Sequence, residues 1–470
     1  MDIKQAKEEI RRTVLAYTER TPNGQLIIPS VHQRPILLMG PPGVGKTAIL
    51  YQLAQELNIG LVAYTMTHHT RQSALGLPVI REKEYGGKPC TVTEYTMSEI
   101  LAAVYDRMEQ TGQQTGILFL DEINCVSETL MPAMLQLLQS KQFGTHRLPE
   151  GWLIVAAGNP PQYNQSARLF DTATMDRVRL LQIEENFPVW QAYARSRHLH
   201  PAILSYLTLN PEHFYSIQPH AHGRSFVTAR GWEDLSQILT LYEKLGFSIE
   251  EALFGEYLQH EEIAASFAVF FRLFVTCREQ LDLTAVLTGT VSATVPALQE
   301  LRFDGRLAVI EFLLHALGGE LSGWHETAGF AGSLDSFCRA AAGSISTAQE
   351  NLSRREHALT VRKDCGVLSA QEETAEHQLI ETVHRLLDPA GDLSALSAER
   401  DRQQETASRM AQTFSVHLEN AMAFVRQSFG AGHELLIFLT QLEALPGSRR
   451  FLDASTTYSQ LLAEVLPTGD

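Results

Sequence analysis

The chain has 470 residues, a formal net charge of -16 and five scattered cysteines. That length exceeds what one hydrophobic core usually serves, so two or three domains are expected. The acidic balance argues against non-specific binding to nucleic acid or to anionic membranes. No apolar run nears the roughly 18 residues of a spanning helix. The alternating charges of "MDIKQAKEEIRRTVLAYTER" do not form a secretory signal. The cysteines lack C-x-x-C spacing, so a reduced cytoplasmic protein without membrane insertion is expected.

In chain order, an alternation of buried strands and amphipathic helices runs from Pro35 to Ile183. "PILLMG", "GLVAY", "GILFLDE" and "WLIVAAGNP" are short, turn-bounded apolar runs suited to parallel strands covered on both faces. "KTAILYQLAQEL" and "SEILAAVYDRMEQ" between them have helical apolar spacing. The pattern predicts an α/β core with a parallel sheet. "GLPVIREKEYGGKPCTV", Gly76 to Val92, interrupts it as a β-hairpin with a charged tip from Arg81 to Glu84, closed by Gly86 and Gly87. From Pro188 to about Phe274 the pattern predicts a small all-helical domain, broken at "LNPEH", "QPHAHGRS" and "KLGFS". The remainder is also helical. Its clearest element carries Met410, Phe414, Leu418, Ala421, Val425 and Phe429 along one side and ends at Gly430, the spacing of a bundle core.

Chemistry concentrates in the α/β region. "GPPGVGKT", Gly40 to Thr47, has the G-x-x-x-x-G-K-[ST] spacing, follows an apolar strand and opens a helix. In that setting the backbone of Gly40, Pro41, Pro42, Gly43, Val44 and Gly45 curls around a phosphate, and Ala48 continues the helix whose N-terminus faces it. Lys46 would neutralise β- and γ-phosphate oxygens, and Thr47 would ligate Mg²⁺. Asp121 and Glu122 end the next apolar strand: Asp121 is suited to hold Mg²⁺ through water, and Glu122 to orient or deprotonate the attacking water.

Asn159, at the end of "LIVAAGN", stands where the lytic water would be positioned, although a strand-ending Asn is commonly only a turn residue. Arg177 in "TMDRVRLL" could stabilise developing charge on a neighbouring subunit's nucleotide, or be a surface arginine. Arg230 in "FVTARGWEDLS" could couple closure of the small domain to the γ-phosphate, or face solvent. His220 and His222 lack a third ligand at metal-site spacing and read as loop residues, as do His68 and His69. Cys125 reads as a structural thiol.

Taken together, "PILLMGPPGVGKT", "LFLDEIN", "RLPEGWLIVAAGNPP", "MDRV" and "TARGWEDLS" resemble the AAA+ ATPases, and most of all their MoxR-type, helix-2-insert branch, over roughly Pro35 to Phe274. The resemblance implies Walker A at Gly40 to Thr47, Walker B at Asp121 and Glu122, sensor 1 at Asn159, an arginine finger at Arg177 or Arg179, and sensor 2 at Arg230. Ala229 stands where the family has proline before the last of these. It also implies residues 1–187 as the large nucleotide-binding domain, with inserts at about 76–95 and 140–151. Residues 188–275 would be a helical lid, and 276–470 a helical domain of open role. Such proteins generally form hexameric rings and remodel a protein client, often beside a von Willebrand A-domain partner, using ATP and Mg²⁺. Two other readings stand beside this one. The chain could be a nucleotide-dependent scaffold that holds a partner through its C-terminal helices, or an AAA+ protein acting on nucleic acid, which the charge disfavours.

Overall fold

The computed structural model describes residues 1–68, 71–86, 88–164, 166–220, 223–290, 301–341, 343–364, 370–387 and 393–465. Of the residues singled out above, His69, Gly87 and His222 lie outside them. Compactness divides the chain into two units, residues 1–186 with 354–377, and residues 187–353 with 378–470.

The first unit opens with helix α1 (Ile3–Thr18), whose N-cap Asp2 and N3 residue Gln5 form a reciprocal capping box. Five parallel strands follow: β1 (Ile36–Met39), β2 (Gly60–Thr65), β5 (Gly116–Asp121), β8 (Trp152–Gly158) and β9 (Arg179–Gln182), in the order β2-β5-β8-β1-β9. Helices α2 (Lys46–Leu57) and α4 (Glu99–Thr111) are the two expected from periodicity. The short α3 (Arg71–Leu75) and α5 (Met131–Ser140) complete the connections before β8. The edge strand β9 was not expected, because "RLLQ" is too short for its alternation to be read against the arginines around it.

Why the strands read as unbroken apolar runs is visible in the layers. Leu37, Val62, Leu118, Leu120, Ile154 and Ala156 point to the side covered by α4 and α5. Ile36, Leu38, Ile117, Phe119, Leu153 and Val155 alternate to the other side, under Ala6, Ile10 and Val14 of α1 and Leu50 and Leu53 of α2. Two hairpins lie outside this sandwich. β3 (Pro78–Tyr85) pairs antiparallel with β4 (Lys88–Tyr95), and β6 (Gln142–Phe143) with β7 (His146–Arg147). They fall at the two insert positions. His146 Nε2 lies 3.3 Å from the carbonyl oxygen of Tyr95, and Tyr105 donates to that of Arg147 (3.0 Å), so the smaller hairpin sits at the base of the larger.

The second unit is helical: α7 (Phe187–Ser196), α8 (Pro201–Leu209), α9 (Ala229–Leu245), α10 (Ala252–Leu258), α11 (Glu261–Gln280) and α12 (Leu283–Leu287) precede the 38-residue α13 (Phe303–Ala340). Next in the chain come α14 (Ile345–Asp364) and α15 (Ala370–Leu386), whose residues 354–377 fall in the first unit, and then the 36-residue α16 (Ser394–Phe429), α17 (His433–Ala444), α18 (Arg449–Leu452) and α19 (Thr456–Val465). Residues 187–275 are not all helical. The stretch read as a loop at "QPHAHGRS" contributes to an antiparallel hairpin, β10 (Ser216–His220) with β11 (Gly223–Val227). Its alternation is short and interrupted by Pro219, which hid the strand period. One apolar core takes side chains from both sides of residue 275, from Trp190, Tyr206, Trp232 and Phe267 through Leu313 to Phe414, Leu418, Val425 and Leu461. α16 ends at Gly430 with φ 76°, a left-handed position that suits glycine. Among the described residues no helix is long and apolar enough to cross a membrane.

Candidate functional site

The site forms at the carboxyl ends of β1, β8 and β5, where α/β sheets collect ligands. Gly40 to Gly45 connect β1 to α2. Gly43 and Gly45 have φ values of 75° and 93°, which only glycine adopts readily, and they let the loop curl. A side chain on Gly40 would come within 2.7 Å of the carbonyl oxygen of Ile183, so the loop's first residue is held by close packing. α2 has no side-chain N-cap, leaving its first N–H groups to point into the loop as an anion site.

Lys46 is the first residue of α2 and is buried. Its ammonium donates to the carbonyl oxygens of Gly40 (2.9 Å) and Pro41 (2.8 Å) and to Oδ1 of Asn159 (2.8 Å). β8, which ends just before Asn159, lies between the loop strand β1 and the acidic strand β5. That order puts Asn159 between Lys46 and the carboxylates. Beside it, the Thr47 hydroxyl donates to Oδ2 of Asp121 (3.0 Å), while Oδ1 of Asp121 accepts from the Glu122 amide (2.9 Å). Residues 113 and 74 positions apart thus converge at one glycine loop.

Glu122 leaves the strand with φ 54°, in the left-handed region that a non-glycine residue adopts only at a cost. This turn aims its carboxylate away from Asp121 and toward Thr67, whose hydroxyl donates to Oε2 at 2.9 Å. Thr67 follows β2, which pairs with β5 in the register Thr65↔Asp121. Asn124 is fully buried and donates from Nδ2 to the carbonyl oxygen of Asn159 (2.8 Å), tying the acidic turn to the end of β8. The Arg168 amide donates to the Asn124 carbonyl oxygen (2.9 Å) from the far side. Thr67 and Asn124 were both missed in the sequence. The signal available was a polar residue just beyond the end of a strand neighbouring the acidic one, and an Asn directly after two carboxylates. Burial first, and then the charges of Glu122 and Asp121, push the Cys125 thiol up, so it stays a protonated thiol.

The two candidate finger arginines are placed differently. Arg179, in β9, bonds Thr13 Oγ1 (2.5 Å) and forms an ion pair with Glu9, both on α1. Arg177 is exposed after the short helix α6 (Thr172–Met175), with its amide on the Thr174 carbonyl oxygen (3.0 Å). Arg230 belongs to the second unit. It is exposed as the second residue of α9, whose N-cap Thr228 accepts from the Gly231 amide (3.3 Å).

The hard oxygen donors Thr47 and Asp121 fit Mg²⁺, which binds through few protein ligands plus phosphate oxygens. Among the described residues no cluster of three His, Cys, Asp or Glu could hold a metal without such help.

Comparison with known proteins agrees with this geometry. Residues 35–178 match the family "AAA domain (dynein-related subfamily)". The matched residues lie within the α/β core described above, and a helical C-terminal part follows it. No curated protein matches the chain. Among solved structures, it is similar to a candidate ATPase from Cytophaga hutchinsonii, with 19% identity and a TM-score of 0.24, covering 38% of this chain and 46% of that one. It is also similar to NtrX from Brucella abortus in complex with ADP, with 15% identity and a TM-score of 0.25, covering 43% and 44%. The matches span less than half of either neighbour.

Proposed function

We propose that the protein is a MoxR-like AAA+ ATPase that works as a ring, a hexamer in its simplest form, and couples ATP turnover to remodelling of a protein client. A von Willebrand A-domain protein is the partner we expect, in the cytoplasm. The observation that carries the ATPase reading is the convergence of Lys46, Asn159, Thr47 and Asp121 on one glycine loop, with Glu122 beside them on a separate hydroxyl.

In this reading the Gly43, Val44 and Gly45 amides and the α2 N-terminus hold the β-phosphate, and Lys46 leaves its carbonyl partners for phosphate oxygens. Thr47 and Asp121 would hold Mg²⁺, which would supply charge neutralisation at the phosphate oxygens. Asn159 and Glu122 position the water, and Glu122 takes its proton. Arg177 serves as the finger on a neighbouring copy's γ-phosphate, because Arg179 is occupied by α1 within its own unit. Arg230 contributes sensor 2 from residues 188–275 as lid.

The test is turnover and nucleotide binding in two variants. Lys46→Ala should lose binding. Glu122→Gln should bind ATP as the wild type does while turnover falls by roughly 10²–10⁴-fold, the usual worth of a positioned base. Normal hydrolysis by Glu122→Gln would remove the base from the reading. Negligible wild-type turnover, with or without a client, would favour the nucleotide-timed scaffold.

A further inference from the structure

The β3–β4 hairpin carries a charge pattern that the ATP site does not explain. Every described residue from Leu77 to Thr91 is exposed, and Ile80 remains 74% exposed and Tyr95 48%. A two-stranded ribbon with neither face covered is marginal in water, so this one is built to be covered.

The register fixes what each face presents. Val79 and Glu94, Arg81 and Val92, Lys83 and Cys90, and Tyr85 and Lys88 are opposite pairs and share one face. Pro78 and Tyr95, Ile80 and Thr93, Glu82 and Thr91, and Glu84 and Pro89 share the other. The first face has Arg81, Lys83 and Lys88 against Glu94, three positive charges and one negative, a formal +2. Glu94 is already engaged there by Lys83 and, at 3.5 Å, by Arg81. The second face has Glu82 and Glu84 and no basic residue, a formal -2. One small ribbon thus presents equal and opposite faces, each with apolar side chains among the charges.

We propose that this hairpin is a self-association element. The Glu82–Glu84 face of one copy stacks on the Arg81–Lys83–Lys88 face of the next, and the stack continues around the assembly. Equal and opposite faces on one ribbon make a heterologous contact, which propagates head to tail and closes into a ring, whereas like faces would repel. Ile80 and Tyr95 from one side and Tyr85 and Val92 from the other fill the contact. The proposal rests on the self-assembly in the reading above but not on hydrolysis.

The experiment uses full-length protein with a non-hydrolysable ATP analogue and reads assembly by sedimentation velocity at low and high salt. Glu82→Lys/Glu84→Lys makes both faces basic; Arg81→Glu/Lys83→Glu/Lys88→Glu makes both acidic. Each variant alone should need at least about tenfold more protein to assemble than the wild type, since like charges now meet. An equimolar mixture should assemble as the wild type does, because unlike faces again alternate.

Assembly of either variant at wild-type concentrations, a mixture no better than its components, or a wild type that stays monomeric each overturns the proposal. So does loss of client-stimulated turnover with assembly intact, which would assign the faces to a client. Fluorescent-nucleotide binding checks that each variant is folded. If one is not, Glu82→Gln/Glu84→Gln must flatten the salt dependence of assembly, and an unchanged salt slope refutes the contact. Failure of the ATPase reading appears separately, in the turnover of Glu122→Gln.

Discussion

Gly158 is the last residue of β8, and a methyl group there would meet Asn124 Oδ1 at 2.5 Å, Asn124 Cγ at 2.9 Å and Met39 Sδ at 3.1 Å. Gly158→Ala therefore displaces the buried Asn124 amide and breaks its bond to the Asn159 carbonyl oxygen. Overpacking of this kind costs about 1–3 kcal/mol, and a buried amide left without its partner costs a further ~1–3 kcal/mol. The sum, roughly 2–6 kcal/mol, corresponds to a melting shift of about 4–24 °C for a unit of this size. Asn159 loses its anchor at the same time, so turnover should fall further than nucleotide affinity does.

The decisive assay is a double-mutant cycle with Asn124→Ala, read by thermal and urea unfolding. Asn124→Ala removes the atoms struck by the new methyl, leaving only the flexible Met39 thioether. The cost of Gly158→Ala should then drop by at least about 1 kcal/mol in the Asn124→Ala background. If the two costs add to within ~0.5 kcal/mol, the placement of Asn124 against β8 is wrong.

Three further outcomes follow from particular contacts. Arg177→Ala should lower turnover of the assembled protein by about 10³-fold or more with nucleotide affinity retained. Arg179→Ala should instead loosen α1 and lower the melting temperature; the reverse pattern would exchange their roles. The buried pair Arg195–Glu311, with side chains 3% and 1% exposed, bonds through Nη1 and Nη2, while Nε has no hydrogen-bond partner. Arg195→Met alone should cost roughly 3–5 kcal/mol, and Arg195→Met/Glu311→Leu together should be close to neutral, as urea unfolding will show. Burial, reinforced by His200 and His198 and opposed by Glu243, pushes His315 down to about 4. Its folded value lies below the ordinary 6.5, so between those values the unfolded chain binds a proton that the folded one refuses. Stability is full above about pH 6.5 and falls as pH drops toward 4, by up to roughly 3 kcal/mol. His315→Leu should flatten that slope in urea titrations across this range, and coincident slopes would refute it.

Local grammar made the glycine loop, the two carboxylates and the four central strands legible in the sequence. Glycine spacing, unbroken apolar runs and their abrupt polar ends are properties of a few adjacent residues, and the chemistry that they serve is local too. The hairpin at Pro78–Tyr95 was legible for the same reason, since alternation and a Gly-Gly turn suffice. Its opposed charges were also present in the sequence, but only the register Arg81↔Val92 and Glu82↔Thr91 sorted them into faces.

What the tertiary structure decided depends on strand order and on long-range packing. Nothing near Asn159 announces that β8 lies between β1 and β5, yet that order brings its amide to Lys46, 113 residues away. Thr67 gained a role only because β2 pairs beside β5, and Asn124 because its side chain is buried against β8. Arg177 and Arg179, equivalent by spacing, were separated by α1, whose Glu9 and Thr13 take one and leave the other exposed. Sequence specifies which groups can do the chemistry, because that depends on residue type and local backbone. The fold specifies which of them meet, because that depends on the order in which distant strands are laid side by side.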